Sequence, residues 1–414
     1  MDQGPQQAGI GRRDFVRLTG GIIAAGAVTG TASAAPNSDW PQPRADASRT
    51  ATTDANGPKD DGGTRWSTSG SDTGVVVGDC VYLGDSGTVR AIRLGDGSER
   101  WSVLTEGFIV GLSATDETVY VAVGGEWTGI VAFSTIDGTE QWRQELPQPR
   151  HAPTIDDDLY VVVEEPGSID SDEFEGSLLS LSTTNGTVQW EYSFDLDGGG
   201  PSAPAVANGT VYVAGSDVLA INSDGTESWR NPDGGHTLAV ADGTVYVSFS
   251  PGMRALSAGD GSEQWEYIAT VDGRPAEDAR ASAPAVTDGT VYFGLTDYLR
   301  EGAAGIYALS TTDGSEQWIT PFDSDVVIGA PAVADDVLYS HAAGFADFPS
   351  VRGTVEAGRV FALDAADGNQ RWEIGDAEDT EFSDLIVTDG LVLVSKLSIL
   401  AGTFEILALE EADS

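Results

Sequence analysis

The sequence contains very little cysteine or lysine. One residue of the 414 is cysteine, Cys80, so no disulfide can form within the chain and packing must hold the fold together. Lys59 and Lys396 are the only lysines. With 66 acidic and 21 basic residues the formal net charge is −45, which excludes nucleic acid as an expected partner because phosphate binding needs clustered cations. This acidic, lysine-poor composition is typical of a protein from a high-salt environment.

Histidine and long apolar runs are also scarce. His151, His236 and His341 are the only histidines, and none lies at metal-ligand spacing from another. The acidic turns contain no complete calcium-binding loop. The apolar stretch from Thr19 to Thr31 is too weakly hydrophobic to be a good membrane span. We therefore predict no metal site, no bound cofactor and no integral membrane span in the mature chain.

The N-terminus has the features of an export signal. A twin arginine, Arg12 and Arg13, is followed by Phe15 and then by the mild apolar stretch, after which residues 32–34, Ala-Ser-Ala, offer a cleavage site. This arrangement predicts a twin-arginine signal peptide over residues 1–35 and an N-terminal extension over 36–63. The alternative is a weak membrane-anchor helix. We expect an extracellular or cell-surface location and a monomeric chain.

Glycine and hydrophobic residues are abundant, with 52 glycines and 40% hydrophobic content, so a folded chain with many turns is expected. Tryptophan recurs along this chain, in most copies just after an Asp-Gly or Asn-Gly turn. Successive members are 35 to 54 residues apart, a range typical of solenoids and propellers. The members are Trp66, Trp101, Trp142, Trp190, Trp229, Trp265, Trp318 and Trp372.

Each interval between these tryptophans contains four short strand patterns. In the sixth these are "ASAPAVTDG", "TVYFGL", "GIYALS" and "EQWIT", separated by glycine turns. Four antiparallel strands per repeat predict a blade of an all-β propeller. After Trp372 only three strand patterns remain, so the strand around Trp66 is expected to complete the last blade. The prediction is an eight-bladed β-propeller over residues 64–414, closed by its N-terminal strand.

The repeated tryptophans are predicted to dock neighbouring blades. Each indole follows the turn onto the outermost strand, where it can wedge between two blades, and a small residue ten positions earlier makes room for it. The alternative is a role in binding sugars or quinones.

The long loops are predicted to share one face. Loops that join the second and third strands, or one blade to the next, vary in length, whereas the other turns are tight, and variable loops on a rigid scaffold often carry binding. Of the four longest, one lies in blade 3 and three lie in and around blades 6 and 7. These three combine arginine with aromatic residues, a mixture enriched at interfaces. The alternative is neutral insertion at loop tips. The candidate interaction residues are Arg274, Arg280, Tyr298, Arg300, Phe345, Phe348 and Arg352.

Residues 362–372, "ALDAADGNQRW", resemble the tryptophan-docking motif of pyrroloquinoline-quinone (PQQ)-like propeller repeats, with Asp367 where threonine is usual. Weaker copies begin at Ala91, Ala132, Ser180, Ala255 and Ala308. The wider family includes quinoprotein dehydrogenases, which hold PQQ and calcium at the propeller centre and commonly have a disulfide between adjacent cysteines. It also includes the propeller lipoprotein of the β-barrel assembly machinery, a non-catalytic scaffold whose lipid-bearing cysteine is missing here.

From this resemblance we expect an exported, non-enzymatic propeller that binds an unknown protein or surface ligand. The alternatives are a PQQ-dependent quinoprotein-type oxidoreductase and a carbohydrate-binding propeller.

Overall fold

The computed structural model describes residues 39–60, 62–70, 73–164, 175–195, 200–297, 302–322, 326–344, 358–375, 380–398 and 401–411. All of these belong to one compact unit, Pro36–Ser414. Their regular structure consists of strands alone, and no helix among them is long and apolar enough to span a membrane. The predicted signal peptide, residues 1–35, lies outside the described residues.

The strands group into eight antiparallel blades, numbered here along the chain. Blade 1 contains Thr73–Val77, Cys80–Asp85, Thr88–Arg93 and Glu99–Leu104. Blade 2 contains Phe108–Ala114, Thr118–Gly124, Gly129–Ser134 and Glu140–Glu145. Blade 3 contains Gln148–Pro149, Thr154–Ile155, Leu159–Glu164, Glu175–Leu181 and Val188–Asp195. Blade 4 contains Ala205–Ala207, Thr210–Ala214, Val218–Asn222 and Glu227–Asn231.

The second half of the chain repeats this arrangement. Blade 5 contains Thr237–Ala241, Thr244–Phe249, Gly252–Ser257 and Glu263–Ile268. A hairpin of Thr270–Val271 and Arg274–Pro275 leads to blade 6, with Ala279–Ala281, Ala285–Thr287, Thr290–Asp297, Gly305–Ser310 and Glu316–Pro321. Blade 7 contains Val326–Ile328, Ala332–Ala334, Val337–Gly344, Arg359–Asp364 and Gln370–Gly375. Blade 8 contains Thr380–Thr388, Leu391–Ser398, Thr403–Glu410 and Gly63–Ser69.

The two ends of the propeller share blade 8. The N-terminal strand Gly63–Ser69 pairs antiparallel with Thr403–Glu410, near the C-terminus. This pairing covers the strand edge that Thr403–Glu410 would otherwise expose. The predicted fold, an eight-bladed propeller closed by its N-terminal strand, is confirmed.

The innermost strands of blades 3, 6 and 7 are each split in two. The strand patterns of the sequence did not predict these breaks. In all three the break contains a proline that cannot donate a ladder hydrogen bond: Pro153, Pro284 and Pro331.

The apolar core lies largely between neighbouring blades. Tyr82 of blade 1, for example, packs in one cluster with Leu112 and Val121 of blade 2.

Each repeated tryptophan reaches the next blade or, for Trp372, Pro58 ahead of the N-terminal strand of blade 8. Its indole Nε1 donates to a backbone carbonyl there at 2.8–3.1 Å. The acceptors, in chain order of the tryptophans, are Leu94, Thr135, Thr183, Ser223, Ala258, Thr311, Ala365 and Pro58. From Trp101 onward, the small residue that precedes each repeated tryptophan lies directly across from it on the neighbouring strand, as Ala308 does for Trp318. For Trp66 this position is taken by Ala408. This geometry supports the proposal that the tryptophans dock neighbouring blades.

The turn glycine of the following blade lies beneath the indole. At Gly314, φ is +69°, and a Cβ would lie 2.5 Å from a ring carbon of Trp265. Gly368 has the same relation to Trp318, with φ +71°. These glycines therefore meet two requirements at once, a left-handed backbone and a close approach of the ring. The sequence pattern indicated the turns but not the close approach of the ring.

Candidate functional site

Residues 40–56, called the axial segment here, run around the centre of the propeller. They form hydrogen bonds with the innermost strand or inner turn of every blade in turn, at 2.5–3.1 Å. The partners are Val76, Ala114, Ile155, Val206, Val240, Val286, Val333 and Gly390, one from each of blades 1 to 8. The sequence predicted only an N-terminal extension over residues 36–63. In the structure, residues 40–56 of this extension are hydrogen-bonded to every blade at the propeller centre.

The contact with blade 3 is made by a side chain. The Gln42 amide oxygen accepts from Ile155 N at 2.8 Å, and its Nε2 donates to Ile155 O at 3.1 Å. At the other seven blades the partners given above are bonded through backbone groups, and the side chains of Ser48 and Arg44 add bonds to Val206 O and Pro284 O. Thr52–Thr53 also adds a short parallel strand to Ala332–Ala334 of blade 7. The axial segment is thus anchored at every blade.

The backbone of the axial segment is unusual. Four of its non-glycine residues have positive φ: Arg44 at 71°, Ala45 at 72°, Arg49 at 61° and Ala51 at 54°. Such residues are uncommon, and each costs roughly 1–2 kcal/mol for a side chain with a Cβ. The hydrogen bonds to the surrounding blades hold them in place. This strain is concentrated around the two arginines of the segment.

The axial segment has an acidic side. A recess of about 1000 Å³ lies where the tight turns between first and second strands meet, and its lining contains seven aspartates. They are Asp39, Asp46, Asp54, Asp156, Asp242, Asp288 and Asp335. Among the described residues no group of three or more histidine, cysteine or acidic side chains could hold a metal ion.

The other side of the axial segment is cationic. A cavity of about 280 Å³, called the axial cavity, is lined by Arg44, Arg49, Arg150, His151 and His341, and by apolar side chains that include Trp40, Leu112, Leu385 and Ile386. Its wall residues Ala152, Ala203 and Ala330 lie three positions before the residues that bond the axial segment. Since the innermost strands run from the long-loop face to the turn face, the axial cavity is on the long-loop side.

The arginines of the axial cavity are fixed by groups around it. Arg44 Nη2 donates to Pro284 O at 2.6 Å, and Arg150 forms an ion pair with Glu164. Burial lowers the pKa of the Arg49 guanidinium to about 10, although the charge of Asp46 opposes this. Arg49 is therefore still cationic at neutral pH.

The two histidines of the axial cavity are neutral at pH 7. Burial lowers the pKa of His151 to about 4; the Pro201 carbonyl, 2.8 Å from its Nε2, opposes the shift, and the charges of Arg49 and Arg150 add to it. Burial alone lowers the pKa of His341 to about 4. Neutral imidazoles can each offer one donor and one acceptor. The fixed charge of the cavity therefore comes from its arginines.

The predicted interaction residues are described only in part. Arg274 and Arg280 are both exposed, in the strands Arg274–Pro275 and Ala279–Ala281 that enter blade 6. The others, Tyr298, Arg300, Phe345, Phe348 and Arg352, lie outside the described residues. The predicted set as a whole stays a prediction.

Arg280 borders a groove of about 730 Å³ on the long-loop face, between blades 4, 5 and 6. In this groove Arg254 is held by two hydrogen bonds to Glu266, at 2.8 and 3.1 Å, and its guanidinium lies 4.8 Å from the ring centroid of Phe249. His236 Nε2 lies 3.1 Å from Ser250 Oγ. Burial and the charge of Arg280 lower the pKa of His236.

The sequence patterns predicted neither the axial cavity nor this groove. Arg280 was found because loop length is visible in a sequence. Arg44, Arg49 and Arg150 are brought together only by the path of the axial segment, which no periodic pattern indicates. The one available signal was charge, since the chain has 21 basic residues against 66 acidic ones.

Comparison with known proteins agrees with the architecture. The family described as "Outer membrane protein assembly factor BamB" matches residues 85–197, 175–298 and 296–413. No curated protein matches the sequence. BamB from Moraxella catarrhalis has a similar structure, at 14% identity and a TM-score of 0.60, over 84% of this chain and 99% of that one.

Two further solved structures are similar. The quinohemoprotein alcohol dehydrogenase from Comamonas testosteroni matches at 15% identity and a TM-score of 0.67, over 92% of this chain and 82% of that one. The computationally designed Ika8 protein matches at 14% identity and a TM-score of 0.59, over 85% of this chain and 100% of that one. At these identities the likeness concerns the fold.

Proposed function

Since the chain belongs to the family described as outer membrane protein assembly factor BamB, we propose that it is an exported, non-catalytic β-propeller that binds a protein or another ligand at the cell surface. The main support is the axial segment, which forms hydrogen bonds to all eight blades across the propeller centre. That centre is where the related quinoprotein dehydrogenases are expected to hold their cofactor.

The residues of the axial cavity do not fit the calcium ion that accompanies PQQ in quinoprotein dehydrogenases. Calcium takes 6–8 oxygen ligands, largely from carboxylates and carbonyls. The described lining instead presents three arginines and two histidines, with no aspartate or glutamate among its residues. A cationic lining would oppose a divalent cation. PQQ-dependent oxidation therefore remains the less supported alternative, and mixing the protein with PQQ and calcium should give no stoichiometric binding.

We place the binding surface on the long-loop face of blades 5 to 7. The described part of this face combines the ring of Phe249 and the buried Arg254 beside it with the exposed Arg274 and Arg280, in a chain of net charge −45. Arginine and aromatic side chains are enriched at interface hot spots. Tyr298, Arg300, Phe345, Phe348 and Arg352 complete the predicted set and are proposed as part of the same surface, because the sequence pattern assigns them to long loops of blades 6 and 7.

The test is affinity capture of partners from the native cell-surface fraction, with the mature chain as bait at native salt. One variant combines Arg274→Glu and Arg280→Glu, and a second replaces Tyr298, Arg300, Phe345 and Phe348 by alanine. Arg93→Glu is the matched control, because Arg93 is an exposed arginine beside a tight turn on the opposite face.

We expect both long-loop variants to lose most of a partner that the Arg93→Glu protein retains, with melting temperatures unchanged. Equal recovery of the partner by all three variants would place binding elsewhere.

A further inference from the structure

The axial cavity combines a cationic side with an apolar side. Arg44 and Arg49 enter it from the axial segment, and Arg150 from the start of blade 3. Leu112, Leu385 and Ile386, each at most 9% exposed, face it from blades 2 and 8. A ligand suited to this lining has an anionic group at one end and a small apolar body at the other.

Two polar atoms of the lining are buried without a hydrogen-bond partner among the described residues. They are Arg150 Nε and His341 Nδ1. Buried polar atoms are nearly always hydrogen-bonded, and leaving one unsatisfied costs about 1–3 kcal/mol. Both atoms belong to residues of the same cavity, although they come from different blades. A bound molecule with acceptor oxygens would satisfy an arginine Nε and could pair with the imidazole.

Three arginines converge on the axial cavity. Glu164 pairs with Arg150, the charge of Asp46 acts on Arg49, and Arg44 donates to Pro284 O. In a chain of net charge −45 with 21 basic residues, the convergence of three arginines on one small cavity is not explained by surface solvation. Positive φ at Arg44 and Arg49 adds a cost that their placement must offset.

From these observations we propose that the axial cavity is a binding site for a small organic carboxylate. The carboxylate group lies among Arg44, Arg49 and Arg150, whose guanidinium groups match its planar, two-oxygen geometry, and the apolar body lies against Leu112, Leu385 and Ile386. The volume of about 280 Å³ lies at the lower end of ligand pockets, so the ligand is small. This inference is independent of the partner proposed for the long-loop face.

Benzoate is the probe and benzamide, of the same shape but uncharged, is the matched control ligand. Binding to the mature chain is measured by calorimetry and by the rise in melting temperature at matched ionic strength. Sulfate and phosphate form separate arms, to distinguish a carboxylate site from a general anion site. We expect saturable, one-to-one binding of benzoate and none of benzamide.

The variants are Arg49→Gln, which removes one cavity charge, and Arg49→Lys, which keeps it. Arg143→Gln is the control, because Arg143 is a half-exposed arginine paired with Glu140 and Glu106 on an outermost strand. We expect Arg49→Gln to weaken benzoate binding at least ten-fold, Arg49→Lys to weaken it less, and Arg143→Gln to leave it unchanged.

Absence of benzoate binding, equal binding of benzamide, or tighter binding of sulfate or phosphate than of benzoate would each overturn the proposal. Unchanged affinity in Arg49→Gln would do the same. Should Arg49→Gln fail to fold, the comparison of benzoate with benzamide on the unaltered chain and the Arg49→Lys protein still decide the question.

Discussion

At the scale of single residues, the repeat is held together by a ring, a glycine and a carbonyl from two blades. The indole of Trp265 packs on Gly314 and donates to Thr311 O at 3.0 Å, and Tyr246 lies 6.0 Å from it, centroid to centroid, within its own blade. The tyrosine-tryptophan pair recurs in each of the first seven blades. Each repeat thus supplies a ring to one interface and a glycine to the other.

This arrangement separates two effects of replacing a turn glycine. Gly314→Ala introduces a left-handed alanine and also a methyl group 2.5 Å from the indole of Trp265. Gly243→Ala introduces the first alone, since φ is +75° and nothing lies within 4 Å of the added Cβ. We expect a loss of about 1–2 kcal/mol of unfolding free energy for Gly243→Ala and a further 1–3 kcal/mol for Gly314→Ala, measured by denaturant unfolding. Equal losses would show that the ring does not constrain the turn.

His341 of blade 7, in the wall of the axial cavity, should make stability depend on pH. In the folded chain the pKa of His341 is about 4, below its ordinary 6.5. Between these values the unfolded chain binds a proton that the folded chain does not, so this residue's contribution to stability falls as the pH drops from about 6.5 to 4. Over this pH range we expect the unfolding free energy of His341→Asn to fall by up to roughly 2–3 kcal/mol less than that of the parent.

The measurement is the difference in unfolding free energy between His341→Asn and the parent, followed from pH 8 to pH 4. Because the difference is taken at each pH, the contribution of the many surface carboxylates cancels. A difference that stays constant across the range would contradict the assignment of His341 as a buried neutral residue.

At the scale of elements, the sequence predicts the blades well and the axial segment not at all. Alternating strand patterns and Asp-Gly turns are local signals, and the missing fourth strand of blade 8 follows from counting them. The axial segment, "WPQPRADASRTATTDAN", has no periodicity, and its structure depends on hydrogen bonds to residues that are distant in sequence. Its four positive φ values at non-glycine residues also contradict local preference.

The candidate site, too, could be predicted from the sequence only where a local pattern indicated it. Loop length indicated the long-loop face, and with it Arg274 and Arg280. The axial cavity could not be predicted, because three arginines separated by up to 106 positions become neighbours only when the chain encircles its own centre.

The single side chain that anchors the axial segment to blade 3 offers a test of the segment's structural role. Gln42→Ala leaves Ile155 N and Ile155 O without the partners that Gln42 supplies, at a cost of about 2–3 kcal/mol of unfolding free energy. Gln144→Ala is the control, because Gln144 Nε2 donates only to the carbonyl of the adjacent Glu145, at 3.1 Å, on an outermost strand. Denaturant unfolding should show less than about 0.5 kcal/mol for this control. A loss for Gln42→Ala no larger than the control's would mean that the axial segment is not needed for stability.

At the scale of the whole molecule, charge is distributed with a definite asymmetry. Basic side chains on the blade surfaces form ion pairs, such as Arg230 with Asp217 and Arg371 with Asp336, whereas the turn face gathers seven aspartates around one recess. The Arg371 and Lys59 partners hold the pKa of Asp336 at about 2. These pairs offset only part of a net charge of −45. The remaining carboxylates repel one another across a surface that salt can screen.

This excess charge predicts that salt stabilises the fold. The screening length falls from about 30 Å at 0.01 M salt to about 10 Å at 0.1 M and 3 Å at 1 M, so repulsion between exposed carboxylates should be reduced most strongly in the lower part of this range. We expect the melting temperature to rise steeply with KCl between 0.01 and 0.3 M and more slowly above it. Sucrose, which is excluded from protein surfaces but carries no charge, serves as the control and should not reproduce the steep part. A melting temperature that is flat or falling over the same KCl range would mean that the ion pairs already balance the repulsion, and the acidic surface would then need another explanation.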